Sequence, residues 1–282
     1  CQAGQSVPVE PGSRGATGLM VVNQALAKMR RGEPAFGYAL ELGSPVAAEV
    51  LSESGVDFLM VDTQHGSYNN PESTAFSFMA ISTGPSTPMA RVATNNYTQI
   101  ARLLYEGAQG IVVPMVDTPE QAKAAADACR YPPAGTRSWG WGRAVRHNPD
   151  YTTTINDQMF VAVQLESALA VENAEAIMAT PGVDGCWIGP GDLALSLGLH
   201  PSTSYGDERH EAAIAQVLTA CRNTGKIPGF AAFTPQEAKK RAEQGFLFLT
   251  AGTDFLFMDE GVRNGVTFLY GEGKAPGDTY GN

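Results

Sequence analysis

The stretch "FVAVQLESALAVENAEAIMATPGVDGCWIGP", residues 160–190, decides the fold. It opens on an apolar run, "FVAVQLE", passes into a helical pattern, "SALAVENAEAIMATPG", and returns to an apolar run, "VDGCWIGP". Strand, helix, strand is the reading that this order predicts. The same alternation runs outward in both directions. Toward the amino terminus the apolar runs are 35–42, 56–63, 87–92 and 110–116, each followed by a helical pattern. Toward the carboxyl terminus they are 226–233 and 246–252. Local signals agree with the helices between them. Gly55 is a C-cap signal, Asn96 is placed to cap a helix that puts Ile100, Leu103 and Leu104 on one face, and Pro119 falls near a first turn.

The strands read as continuous hydrophobic runs, which suits a parallel sheet buried on both faces. Alternating β and α units leave an open doubly wound sheet or a closed barrel. Eight units in 282 residues favour the α/β class with a (β/α)8 TIM barrel, and no GxGxxG follows the first strand to support the open alternative. The longest interruption, residues 131–158 after the fourth strand, is of the kind that is functional or disordered. The expected organisation is a flexible tether over residues 1–18 and one barrel domain over residues 19–282.

Composition narrows the function classes. The chain is 43% hydrophobic and 17% charged, which is the make-up of a globular protein with a large core. A net charge of −10 without a Lys/Arg cluster argues against nucleic-acid binding. No apolar run reaches the roughly 18 residues of a membrane span. Cys129, Cys186 and Cys221 lie in apolar or helical runs without a CxxC pair and read as buried free thiols. Cys1 begins a Gly-, Ser- and Pro-rich segment and resembles the lipidated cysteine of a mature bacterial lipoprotein. That reading places the chain at the cell envelope on a lipid anchor. An arbitrary start would leave a cytoplasmic protein.

In a barrel of this kind the active site lies at the carboxyl ends of the strands. The polar residues at or just after those ends are Glu41, Asp62, His65, Arg91, Gln164, Glu166 and Asp192. Singly, each has an ordinary role: Glu166 as a helix N-terminal acid, Asp192 as an N-cap, His65 as a surface or core histidine, Arg91 as an ion-pair partner. Together they describe a site. Two carboxylates from neighbouring strand ends make a hard oxygen pair suited to Mg²⁺ or Mn²⁺. The turn "GPGD" exposes backbone N–H groups for a small carboxylate. Arg91 supplies a cationic fork for a carboxylate or oxyanion, and His65, oriented by Asp62 or a neighbour, a base. Metal, cation and base are what C–C cleavage or proton abstraction beside a 2-keto acid requires.

Five motifs then carry a resemblance across residues 20–260: "VDTQHG" (61–66), "MARV" with "NNYTQIARLLYEGAQGIVVPMVDTPEQA" (89–122), "RYPPAGTRSWG" (130–140), "VAVQLES" (161–167) and "GVDGCWIGPGDLALSLG" (182–198). In this order they resemble the HpcH/HpaI aldolase family, the metal-dependent (class II) pyruvate aldolases. The resemblance implies a (β/α)8 barrel, a hexamer in which the last helix packs on a neighbour, and reversible aldol cleavage of a 4-hydroxy-2-oxo acid to pyruvate and an aldehyde. It implies Glu166 and Asp192 as ligands of a divalent metal (Mg²⁺ or Mn²⁺, with Co²⁺ as a further option). It also implies Arg91 as the group that orients pyruvate and stabilises its enolate, and His65 as the base with Asp62 as its dyad partner. Gln164 lines the substrate site, and the Gly191 and Asp192 amides hold the pyruvate carboxylate.

Three positions depart from the family pattern: Gln64 before the histidine, Thr94 in place of an aromatic, and Glu41 at a strand end that is small or neutral in relatives. The last two place the aldehyde half in question more than the reaction. Two alternatives stand beside the aldolase: another 2-keto-acid lyase or hydrolase of the same barrel superfamily, and a surface-tethered binding protein without catalysis. The binding protein is expected to have lost part of the Asp62, His65, Arg91, Glu166, Asp192 set, and every member is present.

Overall fold

The apolar runs become eight parallel strands: β1 Ala35–Leu40, β2 Phe58–Asp62, β3 Thr87–Arg91, β4 Gly110–Val113, β5 Phe160–Gln164, β6 Gly185–Trp187, β7 Gly229–Ala232 and β8 Phe248–Thr253. The computed structural model describes residues 22–68 and 70–271. The tether over residues 1–18 and the lipidation of Cys1 lie outside them. Along the sheet the strands run β6-β5-β4-β3-β2-β1-β8-β7. Parallel bridges Gly185↔Ile227 and Ile188↔Phe230 join β6 to β7 and close the barrel. The expected TIM barrel is the observed fold.

The helices start where their sequences supply an acceptor. Asn96 accepts from the amides of Thr98 and Gln99, and Thr118 with Gln121 forms a capping box just before Pro119. Ile100, Leu103 and Leu104 are buried as their spacing predicts. Gly225, in the left-handed conformation, ends the helix Glu208–Thr224. One pattern divides: "SALAVENAEAIM" folds as Ala168–Glu172 and Ala174–Met178, with Asn173 ending the first piece and starting the second. The interruption at 131–158 is ordered. It contains the helices Arg143–His147 and Tyr151–Gln158 and is pinned by the buried Arg137, which stacks on the Tyr131 ring at 4.5 Å and donates to the Tyr151 hydroxyl at 3.1 Å. No residue of it lines the cavity at the barrel mouth. Cys129, Cys186 and Cys221 are buried free thiols.

Two apolar layers share each strand. Leu59, Val61, Val161 and Val163 face the surrounding helices. Phe58, Met60, Met89, Phe160, Ala162 and Phe248 face the barrel interior. Alternation of side chains along a strand, with a period of two, produces this division. The amino-terminal end of the interior is filled by Phe58, Phe160 and Phe248, whose ring centroids lie 4.7 and 4.9 Å from Phe248. Gly37 makes room for them, because a Cβ there would stand 2.4 Å from the Phe58 ring. Each buried ring contributes on the order of 2–3 kcal/mol. The helix Gln24–Arg30 seals this end with Ala25, Leu26 and Met29. The barrel is therefore a packed core at one end, and its open volume lies at the other.

Candidate active site

The inward alternation that seats Phe58 and Met60 seats Asp62 next, at the carboxyl end of β2. It seats Arg91 above Met89 on β3, and Gln164 above Ala162 on β5. Asp62 and Arg91 are register partners on adjacent strands. Their side chains meet as a two-point pair, with Arg91 Nε 2.9 Å from Asp62 Oδ1 and Arg91 Nη2 in close contact with Oδ2. Both are buried. Such a fork is positionally rigid, and its cation is held for use by whatever enters the mouth. The Arg91 guanidinium carbon also stands 5.2 Å from the Trp187 ring centroid.

This pairing, and not one with the His65 ring, is what the Asp62 side chain makes. Asp62 Oδ1 also accepts from the backbone amides of Gln64 at 2.9 Å and His65 at 3.2 Å. Among the described residues, none of its hydrogen bonds comes from the His65 ring. The carboxylate is already committed to the guanidinium in its own barrel layer, so it holds Arg91 directly and His65 only through the main chain. His65 itself is exposed and lines the mouth cavity.

Across the barrel, Glu166 is buried two residues beyond β5. It does not serve the helix that follows, whose N-cap is Ser167. Its Oε1 accepts from the Met115 amide at 2.9 Å, and its Oε2 from Gln164 Nε2. Met115 reaches that position with φ of 55°, a left-handed backbone that a non-glycine residue adopts only under local constraint. Burial, with the nearby Asp192 carboxylate adding to it, raises the Glu166 carboxyl to about 7 against the opposing Met115 amide, Arg91 and Gln164. Asp192 is in the first turn of the helix Pro190–Ser196; the N-cap is Gly189, and no side chain caps this turn. The capping role for Asp192 is thus not the observed one.

A cavity of about 270 Å³ occupies the mouth. Glu41, His65, Arg91, Gln164, Gly191 and Asp192 all line it. Asp62 and Glu166 are not in its lining: Asp62 is paired with Arg91 in the same layer, and Glu166 lies against Gly189. Thr94 is outside: its amide and hydroxyl both donate to Gln99 Oε1, so it does not shape the cavity as expected. Burial pushes the Glu41 carboxyl up, with Asp62 adding to the rise and Arg91 opposing it. Among the described residues no group of three or more His, Cys, Asp and Glu side chains converges as in an all-protein metal site. Glu166 lies near enough to Asp192 to feel its charge, and the Oε1 of Gln164, whose amide nitrogen donates to Glu166, is buried without a hydrogen-bond partner. Hard oxygens with open positions fit a divalent cation that completes its shell with water and substrate.

The family model described as HpcH/HpaI aldolase/citrate lyase matches residues 38–258. The chain belongs to this family. A 4-hydroxy-2-oxo-heptane-1,7-dioate aldolase of Escherichia coli is 39% identical over 236 residues, which cover 82% of this chain and 89% of that protein. An enzyme of the same name from Klebsiella pneumoniae subsp. pneumoniae is 39% identical over 241 residues, covering 83% and 89%. Among solved structures, an HpcH/HpaI aldolase/citrate lyase family protein from Burkholderia cenocepacia J2315 is 33% identical with a TM-score of 0.81, covering 87% of this chain and 99% of that one.

Within this HpcH/HpaI barrel, sequence reasoning missed Trp187, Met115 and Asp254. Trp187 sits at the inward end of β6, and its parity with Gly185 was the available signal. Asp254 accepts from the Glu41 amide at 2.7 Å and so ties β1 to the end of β8, a link between distant segments with no local signature. Gly189 is a site residue for a steric reason. A Cβ there would stand 2.2 Å from Glu166 Oε2 and 2.6 Å from Gln164 Nε2, while its φ of −90° is open to any residue. Gly189→Ala should therefore displace the carboxylate without straining the backbone. We expect Mn²⁺ affinity to fall on the order of 10- to 100-fold, as when a metal ligand loses its orienting contacts. Titration calorimetry beside a thermal melt checks this, and unchanged affinity would count against the assignment of Glu166.

Proposed function

We propose that this chain is a class II pyruvate aldolase, a metal-dependent lyase that reversibly cleaves a 4-hydroxy-2-oxo acid to pyruvate and an aldehyde. One observation carries the reading: a forked guanidinium, an imidazole and the Asp192 carboxylate, from three different strand ends, line one cavity mouth, and the buried Glu166 from a fourth lies near enough to Asp192 to feel its charge. Glu166 and Asp192 would hold Mg²⁺ or Mn²⁺, with Co²⁺ as a further option, and the bound ion supplies Lewis-acid polarisation of the 2-oxo group. The amides of Gly191 and Asp192, in an uncapped first turn, receive the substrate carboxylate. Gln164 flanks the bound keto acid.

His65 takes the proton of the 4-hydroxyl. The bond between C3 and C4 then breaks, C4 leaves as the aldehyde, and its electron pair passes to the pyruvate enolate. Arg91 faces the oxygen on which that charge develops, held in place by Asp62 so that no reorganisation is needed. Return of the proton held by His65 to C3, directly or through water, completes pyruvate and restores the base. Assembly into a hexamer is part of the proposal, supported by the exposed apolar side chains of Met258, Val262, Phe268 and Leu269 on the helix Asp254–Tyr270, the last among the described residues.

A pyruvate-release assay with and without EDTA tests the reading. Release should stop with the chelator and return with Mg²⁺ or Mn²⁺. Glu166→Gln keeps an acceptor for the Met115 amide, so the fold should persist while metal affinity falls by more than about 100-fold. Turnover that survives EDTA, or a Glu166→Gln chain that binds metal normally, would reject the assignment.

A further inference from the structure

Glu41 has no place in the chemistry above, yet the structure builds it into the cavity. The inward side of β1 runs Ala35, Gly37, Ala39, and the next position of the same parity is Glu41. Ala39 and Glu41 both line the cavity. Backbone contacts hold the residue from two sides: its amide donates to Asp254 Oδ1 at 2.7 Å, and its carbonyl accepts from the Ser67 amide at 2.6 Å. The side chain therefore projects from a fixed point.

The cavity has two unlike halves. Gln164, Gly191 and Asp192 lie on the β5 and β6 side, where the proposed reaction places the keto acid. The wall formed by β1, β7 and β8 is left for the aldehyde. Small alanines (Ala39, Ala231 and Ala232), the hydroxyls of Thr250 and Thr253, and the Glu41 carboxylate make up most of it. Arg91 is the one Lys or Arg side chain lining the cavity among the described residues, and its fork is already paired with Asp62. Among the described residues no Lys or Arg on the aldehyde wall would neutralise a second carboxylate, and Glu41 would repel one. Hydroxyl groups, in contrast, would find an acceptor in Glu41 and partners in the threonines.

We propose that Glu41 is a specificity-determining residue that directs the enzyme to neutral, hydroxylated aldehydes and excludes aldehydes carrying a carboxylate. The inference rests on the aldolase reading and names its aldehyde class. Discrimination is a difference between two affinities, and a like-charge contact is a direct way to create it. It would also separate this chain from relatives named for a 1,7-dioate, whose cleavage releases a carboxylate-bearing aldehyde.

The test is aldol addition of pyruvate to glyceraldehyde and to succinic semialdehyde, with kcat/KM measured for each in the metal-loaded wild-type and Glu41→Gln enzymes. The wild type should favour glyceraldehyde. Glu41→Gln should shift the ratio toward succinic semialdehyde by on the order of 10- to 100-fold, the scale of a removed like-charge contact. Intrinsic reactivity of the two aldehydes cancels in this comparison. A wild-type preference for succinic semialdehyde, or a ratio that Glu41→Gln leaves unchanged, would overturn the proposal. Should Glu41→Gln not fold, Glu41→Ala is read by the same ratio against the wild type. Exchange of the pyruvate methyl protons in D₂O by the wild type separates the two levels of inference. Without exchange the aldolase reading falls and the specificity proposal with it; exchange with an unmoved ratio rejects the role of Glu41 alone.

Discussion

An Arg91→Met enzyme is expected to lose rate and stability together. Asp62 is fully buried, and its two oxygens receive the guanidinium as a two-point pair. Removing that cation leaves a carboxylate in the barrel interior with only the Gln64 and His65 amides. Breaking a buried ion pair in this way costs on the order of 3–5 kcal/mol. Losing a preorganised donor to the developing oxyanion costs a further 10²- to 10³-fold or so in kcat. Arg91→Lys keeps the charge without the fork and should fall between wild type and Arg91→Met. Adding Asp62→Asn to Arg91→Met should recover part of the stability and none of the rate, because it removes the unpaired charge but restores no cation. Urea denaturation and steady-state kinetics on the three variants separate the two effects. Near-normal turnover by Arg91→Lys would show that the fork is structural only.

His65→Ala should act on the rate alone. The ring is exposed at the cavity, and among the described residues it makes no hydrogen bond, so its removal leaves no buried group unsatisfied. Stability should stay within about 0.5 kcal/mol of wild type, as for an ordinary surface substitution. The loss of a positioned acid–base group should lower aldol cleavage by roughly 10²- to 10⁴-fold. Mn²⁺ affinity should persist, because Glu166 and Asp192 remain. Asp62 contributes to this step by fixing the His65 main chain, so Asp62→Asn should damage the Arg91 function more than the His65 function. Full activity in His65→Ala, or a pyruvate complex with the ring turned away from the substrate, would place the base elsewhere.

The contrast between Arg91 and His65 shows what was legible in the chain and what was not. Runs such as "VDFLMVDT" and "FVAVQLE", separated by capped helical patterns, are local properties. They specify the strands, their parallel direction and their number, and through these the barrel. Because each strand ends near the end of its apolar run, the order of residues also specifies that Asp62, Arg91, Gln164 and Glu166 stand at one rim. Which of them touch is a different kind of information. Asp62 and His65 are three residues apart and invite pairing, yet the carboxylate meets Arg91 from the next strand. The β2–β3 register sets those two side by side, and the inward alternation points both into one layer. Glu166 likewise finds Met115 and Gln164 across β4 and β5, with Gly189 leaving the space they need. Register and closure depend on how all eight strands pack around Phe58, Phe160 and Phe248, and no short stretch contains that packing. Local pattern determines which residues reach the mouth; only the closed barrel decides their partners.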